Sequence, residues 1–151
     1  MAKNGMMAMR LHKEMQVVLN SPGLELNVID EANNIWHVGF SMPEGTVYAG
    51  ESFVLQFRFI GNYPFESPEV IFVGTPPRHR HVYSNGYICL STLSTDWTPA
   101  LQTSQVVLSI QSMLASADQK ESPPDEATAV AYMNRMGSPK KVNWMFDDDT
   151  C

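Results

Sequence analysis

Ten lysines and arginines face sixteen aspartates and glutamates in 151 residues, a net charge of −6 with a pI near 5.1, which argues against nucleic acid as the main partner because phosphate contacts need a basic face. The composition, 44% hydrophobic and 10% aromatic, suits one folded core and not a disordered chain, and no run of about 18 apolar residues is present to span a membrane. Met1-Ala2-Lys3-Asn4-Gly5 does not open a secretory signal, and Cys89 and Cys151 are too few for a disulfide scaffold, so the expectation is a soluble single-domain protein of a reducing compartment, cytoplasmic and/or nuclear.

The first element is expected from about Gly5 to Asn20, where Met7, Leu11, Met15, Val18 and Leu19 fall at helical spacing and Ser21-Pro22-Gly23 stops the helix. Arg10 and Lys13 lie on its other faces. With Lys3 they outnumber the lone Glu14, giving the first twenty residues a net of +2 and a small basic patch on an acidic protein. Leu24–Ile29 is a weaker edge-strand candidate. Trp36, Val38, Phe40 and Met42 then alternate with His37, Gly39 and Ser41, and Phe53, Leu55, Phe57 and Phe59 alternate with Ser52, Gln56 and Arg58, the period of half-buried strands. Val70–Val73 is a further strand after the breaks at Pro64 and Pro68. Short links between consecutive strands favour an antiparallel meander.

Gly74–Ala100 shows no period, and an irregular stretch of that length inside a compact domain is usually functional. Val106, Val107, Ile110, Met113 and Leu114 form an apolar stripe that predicts a helix over Thr103–Ala117. A shorter helix is expected from Asp125, after Pro123-Pro124, to just before Gly137. The fold class is α+β, with a domain over 1–137 and a mobile tail over 138–151. That tail carries Trp144, Met145 and Phe146 beside Asp147, Asp148 and Asp149; Cys151 at its end is read as an exposed, inert thiol.

The irregular stretch holds His79, His81 and Cys89, and three readings of Cys89 stand side by side. It is an ordinary buried thiol in Tyr87-Ile88-Cys89-Leu90; or it ligates zinc with His79 and His81, a set lacking a fourth ligand at usual spacing; or it is a nucleophile with histidine nearby.

Tyr63-Pro64-Phe65-Glu66-Ser67-Pro68 resembles the Tyr-Pro-Phe-x-x-Pro segment of ubiquitin-conjugating enzymes. His79-Arg80-His81 stands where that family has His-Pro-Asn, eight residues before the cysteine of Gly86-Tyr87-Ile88-Cys89-Leu90, which is similar to its active-site block. Eight residues further, Trp97-Thr98-Pro99-Ala100-Leu101 resembles Trp-Ser-Pro-Ala-Leu. The blocks keep family order and spacing. His81 in place of Asn, Asp96-Trp97-Thr98-Pro99 and the ending Asp148-Asp149-Thr150-Cys151 are similar to the W-type branch, which attaches ubiquitin to protein N-termini. Arg80 departs from the usual Pro, and the fourth C-terminal helix common in the family is not visible.

The resemblance implies a UBC-like fold with a four-stranded meander, a long active-site loop, a central helix and a short C-terminal helix. It implies a transferase that receives ubiquitin from the activating enzyme as a thioester on Cys89 and passes it to an amine, with no cofactor and no metal. It makes His81 either a hydrogen-bond donor to the thioester oxyanion or a support of the loop, and His79 structural. Asp125 is either an acceptor-orienting carboxylate or a helix N-cap, and Trp97 a brace for the loop. Arg10, Lys13, Phe65, Pro99 and Ala100 match a surface read by RING-type ligases. The implied partners are ubiquitin, its activating enzyme, a RING-type ligase and substrates with exposed N-termini, with no nucleic acid and no membrane. A lysine-directed enzyme, another ubiquitin-like cargo and a non-catalytic ubiquitin-binding variant remain alternatives.

Overall fold

The computed structural model describes residues 2–142. Helix α1 spans Ala2–Leu19 and is followed by strands β1 (Glu25–Asp30), β2 (Ile35–Ser41), β3 (Ser52–Arg58) and β4 (Glu69–Val73). Helices α2 (Thr103–Ala115) and α3 (Glu126–Met136) come after the long loop, and a 3-10 turn at Pro139–Lys141 follows them. The four strands pair in sequence order, each antiparallel to the last, as the short connections predict.

Register places the aromatic and branched residues in rows across one face. Val38 stands opposite Leu55 and Leu55 opposite Phe72, while Trp36 pairs with Phe57 and Phe57 with Val70. These rows join Val106, Val107, Ile110 and Leu114 of α2 and Leu11 and Val18 of α1 in one core. Alternation along β2 and β3 was the visible signal for this face, because a one-residue slip would turn every one of these side chains to the opposite face. At the edge, β1 leaves Val28 and Ile29 exposed.

Several boundaries move. The first helix begins at Ala2 and ends at Leu19, one residue short of Asn20, whose side-chain amide donates to the Gln16 carbonyl at 2.9 Å. Helix α2 stops at Ala115 instead of Ala117. Helix α3 begins at Glu126, with Asp125 as its N-cap residue, and ends at Met136 as expected, before Gly137, whose φ of +78° suits glycine. The tail expected from Ser138 is in part built structure: Ser138 caps the Pro139–Lys141 turn and Val142 is buried. The remaining residues of that tail, Trp144 to Cys151 among them, lie outside the described residues.

The largest departure concerns Glu14. Counted with the charges of an exposed helix, it is 1% exposed and accepts four groups of donors. Arg10 Nε reaches it at 2.7 Å, the Thr103 backbone N–H at 2.7 Å and the Thr103 hydroxyl at 2.9 Å, and the Tyr63 hydroxyl at 2.5 Å. Arg10 also donates to the Leu101 carbonyl at 2.8 Å. It is therefore turned into the fold, and of the expected basic pair only Lys13 is exposed. Burial alone would lower the Arg10 pKa, but the hydrogen bond and charge of Glu14 outweigh it and raise the value. Burial, then the Glu14 charge, pushes the Tyr63 phenol upward.

Removing this carboxylate strands three buried donors and one guanidinium. Glu14→Ala is expected to lower the unfolding free energy by about 3 kcal/mol, at the scale of breaking a buried ion pair. Denaturant melts of both proteins check it; an unchanged midpoint counts against the network as described.

Candidate functional site

The long loop is held to the sheet at defined points. The Phe72 N–H donates to the Gly86 carbonyl at 2.8 Å, and the Tyr48 hydroxyl donates to the Arg78 carbonyl. Gly86 has φ of +91°, and a Cβ there would lie 2.2 Å from the Phe72 carbonyl oxygen. Only glycine lets the chain pass so close to β4 at that angle. Single bridges pair His79 with Val82 and Val82 with Ile88, folding the segment back on itself. The Cys89 N–H then donates to the His81 carbonyl at 2.8 Å, which sets the cysteine beside the histidine pair.

Cys89 is 3% exposed and lies on the wall of a cleft of about 460 Å³. His79, Arg80, His81 and Leu90 share that wall, while Met113, Asp118 and Glu121 face them from the end of α2 and the loop after it. On its other side Cys89 packs with Tyr83, Ala129, Met133 and Val142. The chemistry below belongs to Cys89 as the reduced thiol.

His79 is a structural post. Its Nδ1 accepts the His81 backbone N–H at 2.9 Å, which puts the ring proton on Nε2, and the Met113 backbone takes a hydrogen bond from the ring. Burial, and then the neighbouring His81, push its pKa down to about 4. The ring is neutral at ordinary pH and both its nitrogens are engaged. His81 borders the cleft with its ring centroid 5.6 Å from that of His79.

The other expected residues fall in three places. Trp97 is half-buried, donates Nε1–H to the Pro64 carbonyl at 2.9 Å and packs 5.9 Å from the Tyr63 ring, the arrangement a brace requires. Phe65 is 69% exposed, with Pro99 and Ala100 also exposed on the adjoining loop. Asp125 does not line the cleft. It accepts the Tyr83 hydroxyl at 3.2 Å and occupies the N-cap position of α3 without a side-chain capping bond. The carboxylates on the cleft wall are instead Asp118 and Glu121, which sequence reasoning passed over. Glu121 lies 4.0 Å from Arg80, so the residue in the place of the usual Pro is one half of an exposed ion pair at the rim. Among the described residues no group of three or more His, Cys, Asp or Glu is placed to hold a metal, so His79, His81 and Cys89 do not form the zinc set considered above.

Comparison with known proteins supplies the remaining constraint. The family model described as ubiquitin-conjugating enzyme matches residues 10–145. A Danio rerio protein named "Probable ubiquitin-conjugating enzyme E2 W-A" is 48% identical over 150 residues, covering 96% of this chain and 98% of that protein. The Caenorhabditis elegans "Ubiquitin-conjugating enzyme E2 W" is 49% identical over 146 residues, 93% of this chain and 95% of its own. Among solved structures, the ubiquitin-conjugating enzyme UbcA1 of Agrocybe aegerita superposes with a TM-score of 0.76 at 40% identity, covering 82% of this chain and 92% of that one.

The His79 arrangement has a pH consequence. An unfolded histidine takes its proton near pH 6.5, the folded one only near 4, so between those values the unfolded chain binds more protons. The folded state is therefore expected to lose stability as pH falls through that window, by up to about 3 kcal/mol. Denaturant midpoints at pH 7 and 4.5 for wild type and His79→Gln check this: the variant starts lower and changes less, and parallel losses would contradict the account.

Proposed function

The chain belongs to the ubiquitin-conjugating enzyme family, W branch, and on that premise we propose that it transfers ubiquitin from Cys89 to the N-terminal α-amino group of protein substrates, with a RING-type ligase holding the complex. The family reaction is an acyl relay: ubiquitin arrives from the activating enzyme as a thioester on the enzyme's cysteine and leaves on an amine. The observation carrying the assignment to Cys89 is its place on the cleft wall, directly bonded through the backbone to His81. In the reduced chain its sulfur attacks the incoming thioester and expels the activating enzyme's thiol.

An amine attacking the Cys89 thioester builds negative charge on the carbonyl oxygen, and a donor already in place stabilises it. His81 is the residue we assign to that task, since an imidazole still offers one N–H when neutral. His79 holds the loop and takes no part in proton transfer, because both its nitrogens are used. Asp125 acts at one remove, by bonding Tyr83, whose ring shares a packed cluster with Cys89.

Acceptor choice follows from amine chemistry. An α-amino group has a pKa of about 7.7–8.0 and lysine about 10.4, so at neutral pH their free-base fractions differ by roughly two to three powers of ten. A site that positions the acceptor without deprotonating it favours α-amines on that ground alone.

Phe65, Pro99, Ala100 and Lys13 supply the ligase surface, apolar on one side and basic on the other. The segments that carry them are tied together by Trp97 to Pro64 and by Arg10 to Leu101, which supports their acting as one surface. In this arrangement Arg10 shapes the surface from behind.

With activating enzyme, ATP and ubiquitin, the reduced protein should form a reductant-sensitive adduct that Cys89→Ala abolishes. Discharge is then compared on a lysine-free peptide with a free N-terminus and an N-acetylated peptide carrying one lysine. The first should react about a hundredfold faster at pH 7. Equal rates would overturn the N-terminal assignment, and absence of the adduct would overturn ubiquitin as the cargo.

A further inference from the structure

We propose that Ser138 is a phosphorylation site for a proline-directed protein kinase, and that its phosphate unlatches residues 138–142 from β4 and from the packing around Cys89. Six Ser-Pro or Thr-Pro steps occur in the chain, and only Ser138-Pro139 is followed at once by two cations, Lys140 and Lys141. Ser138 is extended, with φ of −152° and ψ of 140°, as a residue before proline prefers, and Pro139 brings no N–H that a kinase groove would have to satisfy. A groove selecting such a step reads this backbone and the positive charge after it.

What the hydroxyl touches determines the outcome. Ser138 Oγ donates to Glu69 Oε2 at 2.7 Å and accepts the Lys140 backbone N–H at 3.2 Å. Glu69 is buried, with its other oxygen 3.3 Å from Arg58 Nη1. In the modification Ser138 Oγ attacks the γ-phosphorus of ATP, the bond to the β-phosphate bridging oxygen breaks, ADP leaves, and the hydroxyl proton passes to the kinase base. The serine thereby loses its donor and gains nearly two negative charges against a buried carboxylate. Of the neighbouring cations, Arg58 is engaged by Glu69, and Lys140 by Glu66 at 3.6 Å. Repulsion and the added bulk therefore release the turn.

The release reaches the nucleophile through contact. Val142, the last described residue, is buried in the cluster that contains Cys89, Tyr83, Ala129 and Met133. Lifting it opens the side of Cys89 away from the cleft.

The test uses the full chain, reduced, with a purified proline-directed kinase and ATP, and peptide mass spectrometry to place the phosphate. Phosphate is expected at Ser138 and absent there in Ser138→Ala. In the phosphorylated protein, alkylation of Cys89 by iodoacetamide should rise at least about fivefold, the population change of a modest destabilisation. Ser138→Glu should move the rate in the same direction, and Glu69→Gln should blunt the effect of phosphate by removing the repelling charge. Phosphate on the other Ser-Pro steps with Ser138 unmodified would overturn the site. A phosphorylated chain whose Cys89 alkylates no faster would overturn the latch.

Discussion

A single buried carboxylate holds the working end of this molecule together. Burying a charge is costly unless its lone pairs are filled, and Glu14 meets that condition by drawing donors from three separate parts of the chain. Arg10 comes from its own helix, Tyr63 from the loop before β4, and Thr103 from the first turn of α2. Each donor also satisfies a need of its own element: the Thr103 N–H is one of the free amides at a helix start, and Tyr63 is an aromatic whose hydroxyl must find a partner inside the core. The carboxylate thus sets where the Tyr63–Phe65 loop and the Trp97–Leu101 loop lie against α1. The indole bond from Trp97 to Pro64 closes the same circuit from the outside. Hydrophobic packing would bring these elements together; the donors aimed at Glu14 settle their register.

The reactive loop depends on the same economy of backbone groups. Between β4 and α2 the chain has little regular structure, so its amides and carbonyls need specific partners. Phe72 pairs with Gly86, Val82 with His79 and Cys89 with His81, and His79 spends its ring on the turn beside it. A side chain at Gly86 would push the loop off β4, since Phe72 leaves no room for a Cβ. The cysteine is placed by this sequence of bonds, and its position is inherited from β4 more than from the residues beside it.

Much of this was legible from the residues, and the exceptions share a cause. Strict alternation exposed β2 and β3, and the Val106–Leu114 stripe exposed α2, because burial on one face imposes a period. The site blocks around Tyr63, Cys89 and Trp97 were recognisable as blocks, yet their mutual placement was not. Glu14 lies three residues after Leu11 and four before Val18, on the buried stripe of α1; its charge led to its being counted with the solvent face. Only the approach of Tyr63 and Thr103, dozens of residues away, makes its burial tolerable, and no local window contains them. Asp125 illustrates the same limit. Following two prolines at a helix start it suggested a cap or an active-site carboxylate, whereas its partner is the distant Tyr83 hydroxyl. The helix ends at Leu19 and Ala115 and the start at Glu126 were missed by a residue or two because capping geometry, not periodicity, sets them.

Cys89 has two environments, and they have different consequences. One side belongs to the cleft with His81, Asp118 and Glu121, where a thioester and an amine would meet. The other is apolar, built from α3, Tyr83 and Val142. The apolar side holds the residue in place, so it governs how the sulfur is presented to the cleft. Glu69 connects that side to the sheet. It sits on β4, pairs with Arg58 of β3, and receives the hydroxyl of Ser138, the residue from which Val142 hangs. A change in charge at Ser138 therefore acts on the sulfur without touching the cleft. It alters the packing behind the nucleophile while the surface around Phe65 and Pro99 keeps its shape, because that surface is anchored separately, at Glu14.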